Sequence, residues 1–222
     1  MGYNIAIDGP AGAGKSTIAR KTAKQLGFIY VDTGAMYRAM GIFLMREGID
    51  PTDADAISAK CGEADITIRY ENGEQVVYLN GENVNDIIRT EQAGVMASLT
   101  SKNPDVRQKL VELQRKLAAD ADVVMDGRDI GTCVLPNAQI KVYLTASSAV
   151  RAKRRYQELT AKGEPCDMDT IEADIIERDR QDMTREISPL IQAEDAVLVD
   201  SSDMTIEEVA ARIISLVKRQ AE

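Results

Sequence analysis

The residues best suited to chemistry lie near the start of the sequence, where Gly9, Gly14, Lys15 and Ser16 match the spacing G-x-x-x-x-G-K-[ST]. Glycines in such a loop let backbone N–H groups turn inward around phosphate oxygens, and the helix that follows adds a favourable dipole. An apolar run precedes the loop directly, as this motif requires. The spacing therefore predicts a triphosphate-binding loop, with Lys15 on the β- and γ-phosphates and Ser16 on Mg²⁺. Its residues are Gly9, Pro10, Ala11, Gly12, Ala13, Gly14, Lys15, Ser16 and Thr17.

Arginine side chains follow two of the predicted strands. Arg38 comes shortly after the apolar run 28–32, and Arg128 comes directly after the run 122–126. Ligands of open α/β sheets bind at the carboxyl ends of the strands, and arginine binds phosphate oxygens in a fixed fork. We expect both arginines to lie near the loop and to bind phosphate. The alternative for each one alone is a surface ion pair.

A second charged group has helical spacing. Arg178, Asp182 and Arg185 recur at i, i+4 and i+7, which places them on one predicted helix face. The alternative is a solvated face of ion pairs. The preceding predicted helix is also rich in arginine, at Arg151, Arg154 and Arg155, and a short loop, 162–168, separates the two helices. This layout is typical of a mobile lid that closes cationic groups over a phosphoryl group.

The elements that must position these residues follow an alternating pattern. Five apolar runs predict buried strands, at residues 3–8, 28–32, 122–126, 139–145 and 196–200, and helical patterns separate them. Such alternation predicts a five-stranded parallel sheet with helices on both faces. Residues 64–84 break the pattern with alternating apolar residues and two Asn-Gly pairs, which predict a small antiparallel insert. The predicted fold class is α/β.

Composition excludes several classes of function. The 222 residues contain no histidine, which rules out Ser-His and Cys-His catalysis and histidine-ligated metal sites. The net charge of −9 argues against binding to a nucleic-acid polymer. Cys61, Cys133 and Cys166 are far apart, which favours free thiols in a reducing compartment. The first residues read as a core strand, not a signal peptide, and no run of 18 apolar residues occurs, so we expect a cytoplasmic protein without membrane contact.

Together these segments resemble the bacterial cytidylate kinases, a family of nucleoside monophosphate kinases of the P-loop type. The resemblance covers nearly the whole sequence. Besides the hairpin insert, it rests on IDGPAGAGKST (7–17), VDTGAMYRA (31–39), DGRDIGT (126–132), YLTAS (143–147) and ERDRQDMTREISPL (177–190). This combination is far more specific than a phosphate-binding loop alone.

The resemblance implies ATP as donor, CMP and dCMP as acceptors, Mg²⁺ as cofactor and a monomer. It implies that Thr33, Arg38, Arg128 and Arg185 hold the acceptor phosphate, that Ser98, Arg107 and Asp129 read the cytosine edge, and that Arg178 and Asp182 contact the ribose. Catalysis would use Lys15, Arg128 and Arg185 with lid residues Arg154 and Arg155. From spacing alone, Ser98 and Arg107 would be surface residues.

We predict a single kinase domain over residues 1–222. Its core comprises 1–60, 100–150 and 188–222, with a monophosphate-binding insert at 62–98 and a helical lid at 151–187. Three alternatives remain: a small-molecule kinase with another acceptor, a nucleotide sensor or GTPase, and a pyrimidine-binding RNA protein. The insert and the DGRD and RDRQD motifs argue against the first, and the absence of an N-K-x-D motif argues against a GTPase. Acidic charge and scarce aromatic residues argue against the third.

Overall fold

The computed structural model describes residues 2–220, which form two compact units. The first unit is Tyr30–Asp120, and the second joins Gly2–Ile29 to the residues from Ala121 onwards. No helix in the described part of the chain is both long enough and apolar enough to cross a bilayer. The predicted division into core, insert and lid is not tested by these units and stays a prediction.

The strands and helices follow the predicted order. The strands are β1 (Asn4–Asp8), β2 (Ile29–Asp32), β3 (Ile66–Glu71), β4 (Glu74–Leu79), β5 (Glu82–Asn83), β6 (Val123–Gly127), β7 (Ile140–Thr145) and β8 (Val197–Asp200). The helices are α1 (Lys15–Leu26), α2 (Thr33–Arg46), α3 (Ala54–Cys61), α4 (Glu91–Thr100), α5 (Pro104–Ala119), α6 (Ser148–Ala161), α7 (Met168–Thr184) and α8 (Ile206–Gln220). A 3₁₀ turn spans Ile87–Arg89, and a π-helical turn spans Ile130–Val134.

The main sheet has the strand order β2-β6-β1-β7-β8, and each of its strands matches one predicted apolar run to within one residue at either end. β1 lies between β6 and β7 and pairs with both in parallel, so its residues from Ile5 to Asp8 are buried. Burial on both faces explains why this strand is continuously apolar rather than alternating. The predicted five-stranded parallel sheet is confirmed.

In the second unit, helix boundaries follow from local sequence. Gly14 before α1 and Gly27 after it have φ values of 85° and 73°, in the left-handed region that favours glycine. α6 and α7 pack together as a helical hairpin around the predicted loop, and no residue of α7 is fully buried. A helix with so little buried surface is held by few packing contacts, which is typical of a segment that moves.

In the first unit, β3, β4 and β5 form the predicted antiparallel sheet. Asn72 and Gly73 have φ values of 54° and 81°, so both central residues of the β3–β4 turn are left-handed, as tight hairpin turns require. α2 and α4 approach closely at Gly41, where an added Cβ would lie 2.9 Å from the Met96 Cβ. This glycine therefore permits the helix packing of the unit.

Candidate active site

The donor loop, residues 9–17, connects β1 to α1 by a backbone path that only glycine allows. Gly9 has a φ of 151°, and a Cβ added there would lie 1.9 Å from the carbonyl oxygen of Leu144. Gly12 and Gly14 also have positive φ values, of 75° and 85°. Lys15 is buried, and its Nζ donates to the carbonyl oxygen of Pro10 at 2.7 Å. The loop thus encloses the lysine that the motif assigns to phosphate.

Burial lowers the pKa of Lys15, and the nearby Arg128 guanidinium lowers it further. The carboxylates of Asp126, Asp8 and Asp182 act in the opposite direction and favour the ammonium form. The charged form of Lys15 is therefore costly to bury, and a bound polyphosphate would stabilise it. This is the electrostatic character expected of an anion-binding loop.

Ser16 and Asp126 form a pair that suits a divalent cation. The Ser16 hydroxyl donates to the Asp126 carboxylate at 3.0 Å, and Asp126 lies near the end of β6, paired in register with Ile7. Mg²⁺ prefers oxygen ligands and usually takes few from protein and the rest from water and phosphates. In the described residues no cluster of three acidic or cysteine side chains could hold a metal. Two oxygen donors beside a phosphate loop therefore fit this ion.

Sequence reasoning placed only Ser16 at the predicted metal site and did not identify Asp126 as its hydrogen-bond partner. The available signal was an aspartate at the end of an apolar run, in the DGRD segment. Parallel pairing of β1 with β6 brings that end beside the donor loop. Which aspartate of the segment lies beside Ser16 depends on the register of β6 against β1. That register cannot be predicted from the pattern of residues.

An ion-pair cluster gathers several of the other predicted residues in the second unit. Arg128 Nε donates to an Asp182 carboxylate oxygen at 2.8 Å. The guanidinium of Arg185 lies 3.9 Å from Asp182 and 3.8 Å from Asp129. Burial alone would raise the pKa of Asp182, but Arg128 and Arg185 outweigh it and the pKa is lowered. The cluster thus brings together two arginines and two aspartates whose side chains are largely shielded from solvent.

The predicted single helix face needs correction. α7 ends at Thr184, and Arg185 follows it with an extended backbone, φ −64° and ψ 142°. Its Nε donates to the carbonyl oxygen of Ser188 at 2.6 Å, so Arg185 is fixed by the segment after the helix. Arg178 is exposed on α7. Since the close partner of Asp182 is Arg128, more than fifty residues away, the group is not simply a solvated helical ion-pair face.

The arginines of α6 differ in their surroundings. Arg154 donates to the carbonyl oxygen of Ser201 at 2.8 Å, while Arg155 is exposed and lies 3.4 Å from Glu158. Their catalytic role stays a prediction. Exposed ion pairs such as that of Arg155 are weak, so its side chain is available to move.

Arg151 is the most deeply buried arginine of α6, and sequence reasoning grouped it with the lid arginines but assigned it no catalytic or binding role. It donates to the carbonyl oxygen of Ala11 at 2.9 Å and to both carboxylate oxygens of Asp179, at 3.1 and 2.6 Å. One side chain therefore joins the donor loop, α6 and α7. The only signal in the sequence was its position in the arginine-rich helix that precedes the predicted loop 162–168. That position does not predict a contact with the donor loop.

The first unit contains the remaining predicted residues. Thr33 is buried at the start of α2, Arg38 is half-buried further along α2, and Ser98 is half-buried on α4. Arg107 on α5 is 4% exposed and its guanidinium lies 5.6 Å from the ring centre of Tyr37, within the range of a cation–π contact. A surface position for Arg107, as spacing alone suggested, is therefore wrong. Sequence reasoning also gave Tyr37 no role.

A parallel α/β sheet, a glycine-rich loop around a buried lysine and a neighbouring arginine–carboxylate cluster define a phosphotransferase of the P-loop kinase class. The chain is similar in fold to a gluconokinase from Sinorhizobium meliloti 1021, with a TM-score of 0.51, 16% identity and coverage of 99% of this chain and 93% of that one.

Sequence comparison specifies the family. The sequence model of the family "Cytidylate kinase" matches residues 5–219. The chain is 49% identical to a cytidylate kinase from Caldicellulosiruptor bescii over 96% of this chain and 94% of the relative. It is 46% identical to one from Shouchella clausii over 99% and 98%. The chain therefore belongs to the cytidylate kinase family, and it is a nucleoside monophosphate kinase that transfers a phosphoryl group from ATP to CMP or dCMP.

Proposed function

We propose that the donor loop holds the ATP phosphates and that the cluster of Arg128, Asp129, Asp182 and Arg185 holds the acceptor nucleotide. The observation that supports this assignment best is the Arg128–Asp182 pair. Both side chains lie close enough to the buried Lys15 to affect its pKa. A site that transfers a phosphoryl group needs cations for the donor and for the acceptor within one electrostatic environment. These residues of the second unit supply both.

The acceptor residues divide by ligand group. Arg128 and Arg185 bind the phosphate of CMP, and Asp129 binds the cytosine edge. Asp182 accepts hydrogen bonds from the ribose, with Arg178 beside it. In the first unit, the family resemblance assigns Thr33 and Arg38 to the phosphate and Ser98 and Arg107 to the base. Burial of Arg107 supports a specific role, because a buried cation is costly unless it has partners.

Phosphoryl transfer here needs positioning and charge neutralisation but no general base. A phosphate monoester has a second pKa of about 6, so the acceptor is already a competent nucleophile near neutral pH. Lys15, Arg128 and Arg185 neutralise charge on the transferring group, and Arg154 or Arg155 completes that neutralisation when the lid closes. Ser16 and Asp126 would hold Mg²⁺, and the ion when bound would supply further neutralisation of phosphate charge. Closure also excludes water and so limits hydrolysis of ATP.

Three further properties rest on the resemblance to the family. The enzyme works as a monomer, it is cytoplasmic, and Mg²⁺ is its metal. The structure carries one independent argument for the metal, the serine–aspartate pair beside the loop.

Acceptor choice tests the proposed site directly. With ATP and Mg²⁺, CMP and dCMP should give the highest kcat/KM, UMP a lower value, and AMP and GMP values lower by at least about 100-fold. The reason is that polar groups paired by cytosine stay unpaired with another base. Release of ADP, measured with each monophosphate in turn, provides the data. Equal kcat/KM for CMP and AMP would contradict the assignment of Asp129, Ser98 and Arg107 while leaving the donor loop intact.

Asp182 provides a sharper test of the acceptor assignment. Asp182→Asn should lower kcat/KM for CMP at least about tenfold, because a charge-assisted hydrogen bond contributes roughly 1.5–3 kcal/mol. The loss for dCMP should be smaller if the lost bond is to the 2′-hydroxyl. Asp174→Asn, an exposed carboxylate on the same helix, is the matched control and should behave as wild type. Unchanged kinetics for both acceptors would reduce Asp182 to an ion-pair residue, and a parallel loss of ATP affinity would show damage to the donor loop instead.

A further inference from the structure

Asp8 is a buried carboxylate that the proposed chemistry does not use. It is the last residue of β1 and immediately precedes Gly9 of the donor loop. Its side chain accepts hydrogen bonds from the backbone N–H groups of Ile130, at 2.8 Å, and Gly131, at 2.7 Å. Both carboxylate oxygens are therefore directed at the backbone of one short segment, more than 120 residues away.

The segment that Asp8 holds directly follows the acceptor residues Arg128 and Asp129. The two N–H groups belong to the first turn of the π-helical segment Ile130–Val134, where they lack partners within the turn. Gly131 leaves little room for change, since an added Cβ would lie 3.4 Å from Asp8 and 3.2 Å from the Lys141 side chain. These hydrogen bonds thus fix the backbone that follows Arg128 and Asp129 relative to the end of β1.

Such an arrangement costs free energy. Burial raises the pKa of Asp8 to about 6, although the two N–H groups and Lys15 favour the ionised form, and the charge of Asp129 adds to the rise. Backbone N–H groups at the start of a helical turn can be satisfied by an exposed serine or threonine without a buried charge. The buried charge does more than cap the turn, because it joins the turn to the residue next to the donor loop.

We propose that Asp8 is a positioning residue, which fixes Arg128 and Asp129 relative to the donor loop through the N–H groups of Ile130 and Gly131. This inference rests on the proposed acceptor role of Arg128 and Asp129. Asp8 touches neither nucleotide. Its contribution is to hold the acceptor groups in the geometry that transfer requires, since small misplacements of positioning groups are expensive in phosphoryl transfer.

The test compares Asp8→Asn with a control of similar structural cost. Asparagine keeps the shape and one acceptor oxygen, but it presents an NH₂ donor to the second N–H group. Kinetics with CMP and with ATP, and urea unfolding, are measured for Asp8→Asn, for Arg128→Ala and for Val199→Ala, which removes a buried side chain of β8. Asp8→Asn should lower kcat/KM for CMP at least about tenfold and leave KM for ATP within about twofold. Val199→Ala should be less stable than wild type but should keep kcat/KM for CMP and KM for ATP within about twofold of the wild-type values.

Gly131→Ala tests the same contact from the other side. Its added Cβ would lie 3.2 Å from the Lys141 side chain and 3.4 Å from the Asp8 carboxylate, so a small shift of this turn should raise KM for CMP in the same direction. This variant decides the matter if Asp8→Asn does not fold. The inference is overturned if both variants keep wild-type use of CMP, or if they lose only stability, as Val199→Ala does. If Arg128→Ala also leaves KM for CMP unchanged, the acceptor site itself is misplaced, and both the proposed function and this inference fail.

Discussion

Lys15→Met should lower kcat at least about 100-fold, because it removes a preorganised charge that the transferring phosphoryl group needs most in the transition state. The methionine side chain fills similar space in the loop, so the fold should persist. Burial disfavours the ammonium form of Lys15, as its lowered pKa indicates. The urea midpoint of the variant should therefore equal or exceed that of wild type near neutral pH, since the variant no longer buries this charge.

The control for this experiment is Lys21→Met on the same helix. Lys21 is partly exposed and pairs with Glu207, away from the loop. It should keep turnover within about twofold of wild type, because exposed ion pairs contribute little. Turnover of Lys15→Met within a few-fold of wild type would show that the loop is not the donor site.

Arg128→Ala should have the second large effect, a fall in kcat/KM for CMP of at least about 100-fold. Arginine holds phosphate by two parallel hydrogen bonds, and loss of one partner of a desolvated charge pair costs about 2–5 kcal/mol. Arg128→Lys should recover only part of the loss, because an ammonium cannot form the same fork. Initial rates at varied CMP and fixed saturating ATP measure the effect, with Arg180→Ala as control. Arg180 is exposed on α7 and pairs only with its helix neighbour Glu177 among the ion pairs described here.

Loss of Arg128 also predicts a stability change with a defined pH dependence. The pKa of Asp182 is lowered in the fold, against the effect of burial, chiefly by Arg128. A carboxylate with a depressed pKa stabilises the fold above its unfolded pKa, and that contribution is lost as the pH falls through the folded pKa. Arg128→Ala should therefore be less stable than wild type near neutral pH, with a difference that shrinks in acid. Wild-type kinetics with CMP in this variant would contradict the acceptor role of Arg128.

Much of the fold was predictable because its signals are local. Continuous apolar runs separated by helical patterns predict parallel strands buried on both faces, and the sheet contains all five. The two Asn-Gly pairs predict tight turns because both central residues must adopt positive φ, which Asn72 and Gly73 do. The donor loop was equally clear, since its chemistry depends on glycines and a lysine at fixed spacing within nine residues.

The charged residues were harder to assign because ion pairs are not local. The sequence placed Asp182 on a helix face with Arg178 and Arg185, whereas its close partner is Arg128. It treated Arg185 as helical, although the helix ends one residue earlier. Helix ends depend on what the next segment packs against, so spacing alone rarely locates them. Whether Arg38 lies near the donor loop stays a prediction.

The sequence by itself determined the elements, the donor loop and the family, because each is written in contiguous residues or in the set of motifs along the chain. Only the tertiary structure decided which distant groups meet: Ser16 with Asp126, Arg151 with Ala11 and Asp179, and Asp8 with Ile130 and Gly131. The physical reason is that strand order and register, set by packing of the whole sheet, determine which side chains at its carboxyl edge become neighbours.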